Sequence, residues 1–124
     1  VTRASDAAVA RDLRREEAKA AERRRLAVGV LGQERADAVA ALPVDHQLLW
    51  IAATVCYGAQ WQLAIGRAIG IKSSRNVRRY ALGEAPVPRR WLEFLAEQIH
   101  AHRAEAADVD RVLAQRLDER TGRA

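Results

Sequence analysis

Apolar positions along this chain recur at steps of three and four, and nowhere alternate with polar ones over a useful length, so the elements they predict are helices. Residues 4–28 predict a long, charged helix with Ser5 or Asp6 as its N-cap and a thin stripe of Val9, Leu13, Ala20 and Leu26. Pairs three residues apart, such as Asp12–Arg15, Glu16–Lys19 and Glu22–Arg25, add weak surface support. Gly29 and Gly32 punctuate the pattern, and a short helix follows over 33–42, stopped at Pro43. Asp45 is the expected cap of an apolar helix over 46–57. Its two neighbouring stripes (Leu48, Ala52, Val55 and Leu49, Ala53, Cys56) predict burial on most sides, and Gly58 closes it.

The pattern then sharpens. Trp61, Ala64, Ile65, Ala68 and Ile69 fall on one face of one helix that Gly70 ends, leaving Ile71 to plug the core beneath a turn. Ser73 or Ser74 offers a hydroxyl to cap the next helix. In that helix Val77, Tyr80 and Ala81 share a side; at about 100° per residue Arg75 and Arg79 point away from it, with Asn76 and Arg78 on its flanks. Gly83 terminates it, and Pro86 and Pro88 stiffen the connection. From Pro88 onward Leu92, Leu95, Ile99, His102, Ala106, Val109 and Leu113 recur at alternating threes and fours. Unbroken to Arg120, this helix is about 50 Å long at 1.5 Å per residue, and a coiled-coil pairing is one use of its stripe. The other reading breaks it near Ala107, with Asp108 capping a last short helix.

Composition narrows the fold to all-α: a small helical bundle containing a helix-turn-helix, with long N- and C-terminal helices. The 124 residues are one domain's worth, and 49% are hydrophobic, enough for a core. Much of that share is alanine, so the core leans on Trp50, Trp61, Trp91, Phe94 and the branched aliphatics. The expected organisation is a charged N-terminal helix over 1–30, a helix-turn-helix domain over 31–106 and a helical extension over 107–124. A single cysteine, Cys56, excludes an intrachain disulfide and suits a reducing compartment as a buried, inert thiol. Residues 1–15 are charged and lack the apolar stretch of a secretory leader. The apolar run from Leu48 stops at Ala59, short of the roughly 20 residues that cross a bilayer, so no membrane association is expected.

Charge placement says more than the total of +5. Residues 1–30 hold 8 basic and 5 acidic side chains, residues 31–71 hold 2 and 3, and residues 91–124 hold 5 and 7. Residues 72–90 hold 6 basic side chains (Lys72, Arg75, Arg78, Arg79, Arg89, Arg90) against Glu84 alone. One short segment thus carries a charge equal to that of the whole chain, and a polyanion is its natural partner.

The stretch around that segment resembles the helix-turn-helix of Cro/repressor-type (XRE-like) regulators. The matching positions are Tyr57, Gly58, Trp61, Gln62, Gly70, Ile71, Ser73, Arg75, Val77, Arg78, Arg79, Tyr80, Gly83, Pro86 and Pro88, and the likeness covers residues 46–100. Lys72 stands as an extra residue in the turn, and Gly66 where alanine is usual. The resemblance implies a helix-turn-helix over 60–82 whose second helix enters the DNA major groove. Arg75 and Arg79 are then the base readers, since a guanidinium pairs bidentately with guanine, and Asn76 addresses adenine in the same way. Gln62 matches the family glutamine that contacts a phosphate. Lys72, Ser74, Arg78, Arg89 and Arg90 are the remaining phosphate partners, giving affinity and register without sequence information.

These readings give a sequence-specific regulator of transcription, a repressor, binding double-stranded DNA as a homodimer because one unit reads too few base pairs. The expected location is the bacterial cytoplasm at the nucleoid; abundant arginine and alanine with two lysines point to a GC-rich genome. The competing class is a DNA-associated assembly protein of packaging or partition type. His100 and His102 lie two apart, on different helix faces, so no metal is expected, nor any cofactor or small-molecule ligand. No nucleophile arrangement or phosphate-cradling glycine loop occurs, and no enzymatic activity is expected.

Overall fold

A computed structural model describes residues 2–122, with side chains from residue 5 onward. Val1, Arg123 and Ala124, at the ends of the two expected terminal segments, lie outside the described residues. Among the described residues the chain is all helix: α1 (Thr2–Leu31), α2 (Gln33–Val39), α3 (Val44–Tyr57), a 3₁₀ turn (Gly58–Gln60), α4 (Trp61–Ile69), α5 (Ser74–Ala81) and α6 (Arg89–Arg120).

α3 is the hub, packing on α1, α2, α4, α5 and α6. Leu49 and Ala53 on one face join Trp61 and Ile65 of α4, Val77 and Ala81 of α5, Val87, and Trp91 and Leu95 of α6 in the main core. Ile51, on another face, meets Ala27 of α1 and Ala36 of α2. The expected burial of α3 on most sides follows from this double duty, although Val44 and Val55 remain exposed. Of the four large aromatics expected inside, Trp61 and Trp91 are buried, whereas Trp50 and Phe94 are half-buried. Trp50 and Trp61 meet edge to face, ring centroids 5.0 Å apart.

Several helix ends differ from expectation. α1 begins before Ser5 and Asp6, so neither is its cap, and it runs through Gly29 to Leu31. Glycine inside a helix costs about 1 kcal/mol, which the packing of Val28, Val30 and Leu31 beside α2 and α3 offsets. Gly32, at φ 86°, makes the actual stop. The boundary expected near residue 30 therefore falls inside a packed corner. Arg24 of α1 pairs there with Asp37 of α2, and that hydrogen bond holds the Asp37 carboxyl below its ordinary pKa.

α2 ends at Val39 rather than residue 42: the chain turns through Ala40 and Ala41, and the Leu42 N–H bonds to the Val39 carbonyl at 2.9 Å ahead of Pro43. The Gln47 side chain donates to the freed Leu42 carbonyl at 2.8 Å. Pro43, not Asp45, occupies the N-cap of α3: its extended backbone lets its carbonyl accept from the His46 and Gln47 N–H groups. Asp45 sits in the first turn, where its charge still suits the helix dipole.

Residues 44–69 are apolar and long enough on composition to cross a membrane, with mean hydropathy 1.3. Gly58, at φ 77°, and the 3₁₀ turn break that stretch into two helices packed on each other. α6 is continuous from Arg89 to Arg120, with no break at Ala107, and Pro88 stands just before it as N-cap. Its buried residues end at Leu95, and every residue over 101–122 is exposed, as is every residue over 11–22 of α1. Two bare helical arms thus leave a small core.

Candidate nucleic-acid interface

α4 and α5 form the elbow. Gly70 adopts the left-handed conformation (φ 85°), and the N–H groups of Gly70 and Ile71 both bond to the Gly66 carbonyl, at 3.0 and 2.8 Å. This glycine closure ends α4 and sends the chain through Lys72 into α5. A Cβ at Gly66 would stand 3.1 Å from Val77 Cγ2, so the missing side chain is what lets α5 approach α4 this closely. Gly66→Leu is expected to overpack this contact at a cost of about 1–3 kcal/mol, read from a urea melt of the full chain.

α5 is clamped from behind. Val77 and Ala81 are buried, the Tyr80 ring lies 4.3 Å from Trp91, and Trp50 Nε1 donates to the Ala81 carbonyl at 2.8 Å. That last bond satisfies one of the orphan acceptors at a helix end. Beyond α5, His46 Nε2–H donates to the Ala85 carbonyl at 2.6 Å, fixing the loop to α6 against α3.

The solvent side of α5 carries Arg75, Asn76, Arg78 and Arg79, all exposed. Among the described residues none of these arginines forms an ion pair. Ser73 holds the N-cap position with extended backbone, and its carbonyl accepts from Asn76 and Val77, but its hydroxyl makes no capping bond as the sequence had suggested. Ser74 is the first helical residue and is exposed. The first-turn N–H groups of α5 are therefore left without a side-chain cap, an arrangement that favours an anion.

A groove of about 770 Å³ runs along the elbow. It brings together Gln62, Lys72 and Ser74, three of the expected phosphate partners, with Leu63, Ile71 and Val77 as apolar lining. Arg67 also lines it, and among the described residues no carboxylate does. Arg67 was not singled out from the sequence, because it falls in a window that is slightly acidic on balance. The signal was its place on α4, four residues after Leu63 and three before Gly70, on the side of the helix that faces the turn. Arg89 and Arg90 are exposed in the first turn of α6 and do not line the groove; Arg89 Nε bonds to Glu93 Oε1 at 2.7 Å.

Elsewhere the chemistry is sparse. Cys56 is half-buried between α3 and α6, and burial pushes its thiol pKa up, away from the reactive thiolate. His100 and His102 are exposed on α6, and among the described residues no three His, Cys, Asp or Glu side chains gather to hold a metal ion. No protein-family model matches the chain, and no curated protein or solved structure matches it.

Proposed function

We propose that this chain is a sequence-specific double-stranded DNA-binding protein, a transcriptional regulator that represses as a homodimer and reads DNA with α5. One observation carries the reading: α5 turns Arg75 and Arg79 outward, opposite the buried Val77 and Ala81, beside a groove that holds Gln62, Lys72 and Ser74, with no acidic partner on either arginine and no carboxylate in the groove among the described residues. A duplex seated there places α5 in the major groove, with Arg75, Asn76 and Arg79 at base edges. Gln62, Lys72, Ser74 and Arg78, with Arg67 added, face the flanking phosphates, and Arg89 and Arg90 reach further backbone. Nothing in this role needs a cofactor, a metal or catalysis, and the bacterial cytoplasm is where such a protein works.

Selection of bound duplexes from a random pool tests the proposal. A single recovered motif, preferred over random duplex by about a thousandfold or more, is the expected result; recovery of no motif rejects it. The bare arms of α1 and α6 favour a second reading, a DNA-associated assembly subunit in which the helix-turn-helix grips without regard to sequence. That reading gives binding with no preference and a large oligomer in the same experiment.

Arg89→Ala separates grip from reading. The exposed Arg89–Glu93 pair is worth well under ~1 kcal/mol, so it does not hold Arg89 away from a phosphate. The variant should bind all sequences more weakly by the same factor, and the slope of log affinity against log salt should flatten by about one unit. A loss confined to one motif would move Arg89 to the base-reading set.

A further inference from the structure

The exposed arm of α6 has a stripe that nothing among the described residues covers. Val109, Leu113 and Leu117 follow His102 and Ala106 at helical spacing, and Val109, Val112, Leu113 and Leu117 are each more than half exposed. An isolated helix this bare is marginal in water, and its large apolar side chains have most to gain from a partner. The α1 arm is a poor cover: after Val9 and Leu13 the next positions of its stripe are Glu16 and Glu17.

We infer that the cover is the α6 arm of a second copy of this chain, laid antiparallel with Val109 of one opposite Leu113 of the other. Size and charge both select this register. It sets Arg116 of each arm across from the small Ala106 of its partner copy and beside that copy's Glu105, while Arg116 Nη1 already bonds to Glu119 of its own helix at 3.2 Å. A parallel pair would face Arg116 with Arg116, like charge against like, and Ala106 with Ala106, leaving a gap between two small side chains. The halves of the arm differ in the same sense. Residues 101–110 carry Arg103 against Glu105, Asp108 and Asp110, and residues 111–120 carry Arg111, Arg116 and Arg120 against Asp118 and Glu119. Antiparallel packing puts the acidic half on the basic half and opposes the two helix dipoles. The inference deepens the paired state proposed above and rests on it, but it does not depend on α5 reading DNA.

The test is made on the full chain without DNA, so its failure is distinct from failure of the reading helix. Sedimentation equilibrium should give a two-chain mass. Arg116→Glu should weaken the pair by roughly tenfold, since two symmetric attractions become repulsions, and Glu105→Arg combined with Arg116→Glu should restore it; circular dichroism controls for folding. In a Cys56→Ala background, Val109→Cys and Leu113→Cys chains should form an interchain disulfide when mixed and little when kept apart. A monomer up to about 100 µM, ready cross-linking of either cysteine variant alone, or a dimer indifferent to Arg116→Glu overturns the inference.

Discussion

Replacing Arg75 and Arg79 together with alanine is expected to abolish sequence-specific retention of DNA and leave the helical circular dichroism unchanged. The two side chains lie on the face of α5 opposite Val77 and Ala81, are exposed, and form no ion pair among the described residues, so their loss removes no packing. Each bidentate arginine–guanine pair is worth about 1–3 kcal/mol of discrimination, so the double variant should lose roughly thirtyfold to ten-thousandfold of its preference. In the proposed complex the phosphate contacts of Lys72, Ser74 and the groove would persist with Asn76 as the one base reader left, so the residual binding should be weak, salt-sensitive and far less selective. The measurement is competition between the selected motif and random duplex. Undiminished preference in the double variant would remove α5 from the role of reader.

Trp61→Ala should be the most damaging single change to the fold. Trp61 is 1% exposed, opens α4, and sits where α3, α4 and the edge of Trp50 converge. Truncating a buried tryptophan leaves a cavity and costs about 3–5 kcal/mol, a large part of the 5–15 kcal/mol typical of a small domain. The loss reaches the interface as well, because Trp50, freed at its ring edge, is the donor that holds the Ala81 carbonyl at the end of α5. The thermal midpoint should fall by roughly 10–20 °C, and DNA retention should fail at temperatures where the parent protein still binds. A midpoint within a degree or two of the parent would show that Trp61 is not the keystone of this core.

How much of this was legible beforehand differs from element to element. For α4 the apolar spacing put Trp61, Ala64, Ile65, Ala68 and Ile69 on one face and Gly70 marked its end, and the structure has the helix at Trp61–Ile69. The inward Val77 and Ala81 and the outward Arg75 and Arg79 of α5 followed from the same arithmetic. Helix ends were read less well, because they turn on which of several adjacent groups takes the first hydrogen bonds. Asp45 and Ser73 are good caps by residue type, yet a proline carbonyl does the work at α3, and at α5 the backbone of Ser73 acts without its hydroxyl. Gly29 looked like a stop and is not, because the burial of neighbours more than compensates for a flexible backbone.

Periodicity is a local property: a residue's direction on a helix depends on its few neighbours, so the sequence by itself determined the helical class, the two-faced character of α5 and the clustering of positive charge in residues 72–90. Cover is not local. Whether a stripe is buried depends on residues far away in the chain, and only the tertiary structure decided that Gly66 lets α5 close on Val77, that Arg67 joins Gln62, Lys72 and Ser74 in one groove, and that the stripe of α6 is core at Trp91 and Leu95 but bare from residue 101 onward.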